Sequence, residues 1–322
     1  MARALLALGS NQGDRAANLN GAVERLGASG AVRVVSLSRW QATAPAGGPS
    51  GQGEFLNGAV VVETTLTPLE LLDWALEIEQ QGGRERREFW GPRAIDIDLL
   101  LYENRACRTP RLELPHRRMA YRRFVLEPAC EIAGDWVHPT IGWTIERLTE
   151  HAREAPLYVA LTGLHRDSLQ QIIGDVLRRS PGKRLLDPAA PDGLDPAAWR
   201  ARRARLLAEA AREPRDVLRI SDFWIDAPLA TVPSGDPSAT VEMSAASIDN
   251  GSDCVLQPKL LAYVEAPGPH DRAQRRTLRD AVERPGRGPW LMLDAADLTR
   301  CVDELSGAIQ ALQWAEAGGR DD

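Results

Sequence analysis

The chain has 322 residues, 43% of them hydrophobic, with a formal net charge of -6 and a pI near 5.6. That length exceeds the usual size of one domain, so two domains are expected, each with enough apolar residues for its own core. The acidic balance argues against a general nucleic-acid binder, which needs a basic footprint, and no apolar segment reaches membrane-spanning length.

Cys107, Cys130, Cys254 and Cys301 lie far apart without a Cys-x-x-Cys pair, which disfavours a zinc site or a disulfide framework. The run Ala4-Leu5-Leu6-Ala7-Leu8 is too short for a secretory segment and is followed at once by Ser10-Asn11-Gln12. A cytoplasmic protein with reduced thiols is the expectation.

In chain order, Arg3 to Leu8 reads as a buried strand ending at Gly9-Ser10-Asn11, and Ala16 to Leu26 as a helix on Leu19, Ala22, Val23 and Leu26. Val32 to Trp40 and Asn57 to Thr64 read as strands. Between them, Thr43 to Gly53 is too rich in Gly and Pro for regular structure and reads as a mobile loop. Thr67, Pro68 and Glu70 form a capping-box signature for a helix on Leu71, Leu72, Ala75, Leu76 and Ile78, which stops at Gly82-Gly83. A second loop, Arg84 to Trp90, leads into a strand from Ile95 to Tyr102. The order β-α-β-β-α-β is that of a ferredoxin-like α+β domain.

In that last strand Ile95, Ile97 and Leu99 share one face and Asp96 and Asp98 the other, since side chains alternate and i, i+2 Cα atoms lie about 7 Å apart. Two carboxylates on one face repel unless a cation lies between them; magnesium, a hard ion often held by one or two carboxylates and substrate phosphates, suits them. A solvated strand edge suits them too, and the pair alone leaves both readings open. Arg84, Arg86, Arg87 and Arg93, then His116, Arg117, Arg118, Arg122 and Arg123, gather positive charge around the acids. Arginine forks grip phosphate oxygens, so the combination points to a triphosphate pocket.

Leu5, Ala7-Leu8-Gly9-Ser10-Asn11, Phe55-Leu56-Asn57-Gly58-Ala59, Gly83-Arg84, Trp90-Gly91-Pro92-Arg93-Ala94-Ile95-Asp96-Ile97-Asp98, Leu114-Pro115-His116, Phe124-Val125-Leu126-Glu127-Pro128 and His138-Pro139 follow one another in the order and spacing of a known family. Over residues 2 to about 150 the chain resembles the 6-hydroxymethyl-7,8-dihydropterin pyrophosphokinases of folate biosynthesis. The resemblance implies transfer of an intact pyrophosphoryl group from ATP to the hydroxymethyl oxygen of the reduced pterin, leaving AMP. It implies that Asp96 and Asp98 hold two magnesium ions and that Arg84 and Arg93 are the catalytic phosphate contacts. By similarity Glu79, Arg84, Arg86, Trp90, Leu99, His116 and Arg122 face ATP. Thr43, Pro45, Ala46, Phe55, Asn57 and Phe124 face the pterin, with Phe55 and Phe124 stacking on its ring. The implied partners are these two small-molecule substrates, without nucleic acid or membrane. Phe89 departs from the basic or polar residue usual before Trp90, and Ala44 and Ala46 are smaller than the family's common choices.

The second half reads as alternating α and β: strand Leu157 to Leu161, helix Ser168 to Arg179, the stretch Leu218 to Asp226, strands Lys259 to Glu265 and Trp290 to Leu293, and helix Leu298 to Leu312. Ile220-Ser221-Asp222-Phe223-Trp224 and Glu265-Ala266-Pro267 resemble bacterial deoxynucleoside kinases. However, Gly163-Leu164-His165-Arg166-Asp167-Ser168 lacks the second glycine and the lysine of a phosphate loop. The expected organisation is a pyrophosphokinase domain over 1–153 and a degenerate, doubly wound, P-loop-kinase-like α/β domain without the P-loop over 156–316, with 231–252 a flexible loop. A deoxynucleoside kinase and a non-catalytic pterin or nucleotide scaffold are the competing functions.

Overall fold

The computed structural model describes residues 1–45, 53–82, 94–163, 166–185, 196–222, 258–265 and 272–313. Chain contacts divide the protein into two units. One is Met1–Glu154 with Pro285–Pro289 and Gly307–Asp322; the other is Ala155–Arg284 with Trp290–Ser306.

The first unit contains β1 (Ala2–Ser10), α1 (Arg15–Ala28), β2 (Val32–Leu37), β3 (Gln41–Thr43), β4 (Phe55–Thr64), α2 (Pro68–Gln81), β5 (Asp96–Tyr102), a short pair β6 (Cys107–Arg108) and β7 (Glu113–Leu114), then α3 (Arg123–Ala133) and α4 (Ile145–Glu154). The sheet runs β2-β4-β1-β5 with every neighbour antiparallel, and β3 pairs with β4. This is the split βαβ order with one added strand.

Local sequence sets the helix starts. The Asp14 side chain accepts from the Ala17 N–H at 3.0 Å to open α1. At α2, Thr67 and Glu70 cap each other: the Thr67 N–H donates to Glu70 Oε2 at 2.7 Å and the Glu70 N–H to Thr67 Oγ1 at 3.4 Å. Leu19, Ala22 and Leu26 of α1 and Leu71, Ala75 and Ile78 of α2 bury against Leu6, Leu8, Val60, Val62, Ile97 and Leu99. One sheet face is thereby sealed by helices. Alternation leaves Ala7, Gly9, Asn57, Asp96 and Asp98 on the other face.

The strand expected over Val32 to Trp40 ends at Leu37. Ser38 exchanges hydrogen bonds with Ala59 through its N–H at 3.0 Å and its Oγ at 2.8 Å. The Trp40 ring then occupies the place of a Gly58 side chain, since a Cβ there would lie 2.3 Å from Trp40 Cε3. The chain bends around the indole and resumes as β3. Helix α3 is also absent from the sequence reading, because Pro128 lies inside it; proline removes one hydrogen bond, leaving the Phe124 carbonyl without its i+4 donor.

The second half contains β8 (Tyr158–Gly163), α5 (Arg166–Arg179), β9 (Lys183–Leu185), α6 (Pro196–Ala210), β10 (Arg219–Ser221), β11 (Leu260–Glu265), α7 (Arg272–Val282), β12 (Trp290–Asp294) and α8 (Leu298–Gln313). Its sheet is entirely parallel, in the order β12-β11-β8-β10-β9. Leu207 and Ala210 of α6 and Leu278, Ala281 and Val282 of α7 pack on Tyr158, Ala160, Leu261, Tyr263 and Met292. Helices α6 and α7 therefore share one face of this sheet. Three elements, β9, α6 and α7, go beyond the sequence reading. Among the described residues no helix is long and apolar enough to cross a membrane.

Candidate active site

Register places the site. Gly9 of β1 is opposite both Asn57 of β4 and Asp96 of β5, and Ala7 is opposite both Ala59 and Asp98. Strands are ~4.8 Å apart, so Asn57 and Asp96 share one cross-sheet row about 10 Å apart, separated by a residue without a side chain. A Cβ at Gly9 would lie 2.7 Å from Asn57 Oδ1 and 3.9 Å from Phe55 Cδ1. Glycine is required there because the Asn57 amide leans over the backbone.

The Asn57 amide is fixed at its other end, where Nδ2 donates to Thr43 Oγ1 at 2.6 Å. Asn57 is 8% and Thr43 3% exposed, so this is a buried polar pair placed by the β3–β4 ladder, in which Thr43 is opposite Phe55. Phe55 and Phe124 are both half-buried, and Pro45 follows two residues after Thr43. Phe124 is in the first turn of α3, which packs against β4 and β3.

On β5, Asp96 and Asp98 are half-buried while Ile97 and Leu99 are buried. Glu79, on α2 and 1% exposed, accepts the Ile97 N–H at 2.7 Å. It braces the strand between the two aspartates. The Leu99 side chain belongs to the core, so any contact it makes with a nucleotide must come from its main chain.

His116 is tied beside β5 by its N–H, which donates to the Leu100 carbonyl at 2.9 Å. Its Nε2 is 3.9 Å from Asp98 Oδ2, and its Nδ1 accepts the Arg118 N–H at 3.4 Å. Loss of hydration draws the imidazole below its ordinary pKa; Asp98 opposes this, and Arg122 and Arg118 reinforce it. A neutral ring whose Nδ1 accepts carries its proton on Nε2, facing the acidic side. Arg122 is likewise lowered by loss of hydration, with Asp98 and Asp96 favouring its charge; a guanidinium remains a cation regardless. Its Cζ is 5.5 Å from the centroid of the Phe124 ring, which links the cationic group to the aromatic one.

Two carboxylates with a neutral histidine and an arginine fit a hard cation carrying phosphate. Among the described residues no group of three or more His, Cys, Asp and Glu could hold a metal. Two carboxylates on one strand face suit an ion whose shell is completed by water and substrate oxygens, the habit of magnesium. Of the residues anticipated from sequence, Thr43, Pro45, Phe55, Asn57, Glu79, Asp96, Asp98, Leu99, His116, Arg122 and Phe124 are described; Ala46, Arg84, Arg86, Phe89, Trp90 and Arg93 lie outside the described residues. Gly9 belongs to the Leu8-Gly9-Ser10-Asn11 motif, but its role in spacing the site follows only from the register.

Comparison with known proteins places the chain in a family. The model of the 7,8-dihydro-6-hydroxymethylpterin-pyrophosphokinase family matches residues 5–134. A 2-amino-4-hydroxy-6-hydroxymethyldihydropteridine pyrophosphokinase of Methylorubrum extorquens is 52% identical over 137 residues, covering 42% of this chain and 86% of that one. Proteins of the same name from Synechocystis and Bacillus subtilis are 41% and 45% identical, over 50% and 40% of this chain and 82% and 77% of theirs. With most of each relative spanned at these identities, the chain belongs to the 7,8-dihydro-6-hydroxymethylpterin-pyrophosphokinase family.

Proposed function

We propose that the sheet face bearing Asn57, Gly9, Asp96 and Asp98 is where the family's reaction takes place. The chain is an ATP-dependent transferase of folate synthesis: it passes pyrophosphate from ATP to 6-hydroxymethyl-7,8-dihydropterin. The hydroxymethyl oxygen bonds to the β-phosphorus, the bond to the α-phosphate oxygen breaks, AMP departs and the hydroxyl proton is released. The observation that carries the placement is the single cross-sheet row in which Asn57 and Asp96 flank Gly9. A flat heterocycle held at Asn57 puts its hydroxymethyl arm toward the carboxylates.

In this reading Asn57, held by Thr43, meets the hydrogen-bonding edge of the pterin. Phe55 and Phe124 bound its ring faces, where aromatic contact suits any flat heterocycle, and Pro45 and Ala46 close the same side. Asp96 and Asp98 would hold two magnesium ions, kept in place by the Glu79 brace on Ile97. Magnesium, when bound, supplies neutralising charge to the triphosphate. His116 donates from Nε2 to a phosphate oxygen, and Arg122 adds a fixed positive charge beside it. Arg84 and Arg93 are proposed as catalytic contacts to the transferring group, and Arg86, Trp90 and the Leu99 main chain as further nucleotide contacts. Catalysis is positioning and electrostatic stabilisation, as in phosphoryl transfer generally.

For the chain after residue 155, the reading is a degenerate kinase-like domain over 156–316. Its support is the parallel sheet with β8 between β10 and β11, which puts the switch point at the carboxyl end of β8. Gly163 there is needed for close packing: a Cβ would lie 2.7 Å from the Val264 carbonyl oxygen. The test of the main reading is AMP formation from ATP that requires both magnesium and 6-hydroxymethyl-7,8-dihydropterin. Pterin-independent AMP, or none, would refute it.

A further inference from the structure

We propose that Glu131 is a positioning residue for pterin recognition: it fastens β3, which carries Thr43, to α3, which carries Phe124. The proposal rests on the pterin pocket described above. Strand β3 has three residues and pairs only with β4 among the described strands, so its own ladder holds it weakly. Glu131, two turns beyond Phe124 on α3, supplies the missing restraint. Its Oε2 accepts the Arg39 N–H at 3.1 Å and the Arg39 Nε–H at 3.5 Å. Its Oε1 accepts from an Arg39 terminal nitrogen at 3.1 Å and from Gln41 Nε2 at 2.9 Å.

These contacts grip the chain on both sides of Trp40, immediately ahead of Thr43. Desolvation alone would raise the Glu131 pKa, but the hydrogen bonds from Arg39 and Gln41 outweigh it and hold the carboxylate below its usual range. The Arg39 side chain is 85% exposed, and an exposed ion pair adds little to global stability. What the cluster fixes is relative position. With β3 held to α3, the Thr43 hydroxyl stays under the Asn57 amide, and the aromatic residues of β4 and α3 keep their spacing. Glu131 touches no substrate in this scheme; it acts through Thr43 and Asn57.

The test uses full-length Glu131→Gln and Glu131→Ala beside Asn57→Ala, with steady-state kinetics for each substrate and direct titration with oxidised 6-hydroxymethylpterin. Glu131→Gln preserves shape while denying one of the two oxygens to its donors. The expected result is a rise in KM for the pterin of about tenfold, comparable to losing a charge-assisted hydrogen bond. Glu131→Ala loses more, while KM for ATP and the melting temperature hardly change. Equal rises in both KM values, or a fall in melting temperature that accounts for the lost activity, would reduce Glu131 to a structural contact. Weakened pterin binding in Asn57→Ala with none in either Glu131 variant would overturn this proposal alone. No weakening in Asn57→Ala would overturn the pocket on which it rests.

Discussion

Gly9 shapes the site by what it lacks. Its neighbours across the sheet, Asn57 on one strand and Asp96 on the other, face a common space because no side chain stands between them. Asp96 and Asp98 were legible in the sequence as two acids alternating with apolar residues, and the structure gives the same alternation. What the sequence could not supply is the partner of each group, since Glu79 reaches β5 across 18 positions and Asn57 reaches Thr43 across 14. Replacing either aspartate by asparagine keeps its shape and removes its charge. The turnover of Asp96→Asn or Asp98→Asn is expected to fall by at least about 10- to 100-fold, the range typical of disturbed metal sites, with an unchanged melting curve. Wild-type turnover in either variant would make the pair a structural feature of the strand.

At the scale of elements, the bends proved harder to read than the strands and helices. Apolar runs located β1 and β4, apolar alternation located β5, and the capping box located α2, because these signals are local. The break between β2 and β3 depends on Trp40, in the bend, meeting Gly58 of β4, 18 positions away. A Cβ at position 58 would lie 2.3 and 2.4 Å from two Trp40 carbons, so Gly58→Ala must displace the indole or the strand. Overpacking of this kind typically costs about 1–3 kcal/mol, readable by urea unfolding, and pterin affinity should fall with it because β3 follows Trp40. Unchanged stability would show that the ring moves freely. The turn between α3 and α4 makes a second case. His138 is 5% exposed, and its Nδ1 accepts the Ile141 N–H at 3.2 Å. Burial lowers its pKa to about 4 from an ordinary ~6.5. The unfolded chain therefore binds more protons between those values, and stability falls as pH drops from 6.5 toward 4, by on the order of 3 kcal/mol. His138→Asn, which retains an acceptor but does not titrate, should flatten that part of the stability–pH curve. Equal slopes in the two proteins would contradict the assignment.

For the whole molecule, the two halves differ in what their sheets present to a ligand. The antiparallel sheet of the first unit carries paired carboxylates on one face, at the end of β5. The parallel sheet of the second directs any binding to its strand ends, where the sequence after Gly163 offers neither a second glycine nor a lysine to cradle phosphates. Among its described residues the most buried charged side chain, Arg219 at 0% exposure, is occupied with structure. Nε, Nη1 and Nη2 donate to the carbonyls of Ala210, Val217 and Pro214 at 2.8, 2.9 and 2.7 Å, tying the end of α6 to the start of β10. Such a network stabilises a domain without needing a substrate. The full-length Asp96→Asn protein, silenced at the first site, is therefore expected to make no ADP from ATP when deoxyadenosine or deoxyguanosine is added. Nucleoside-dependent ADP in that variant would show a working kinase in the second half, whose phosphate contacts would have to come from residues other than a lysine-bearing loop.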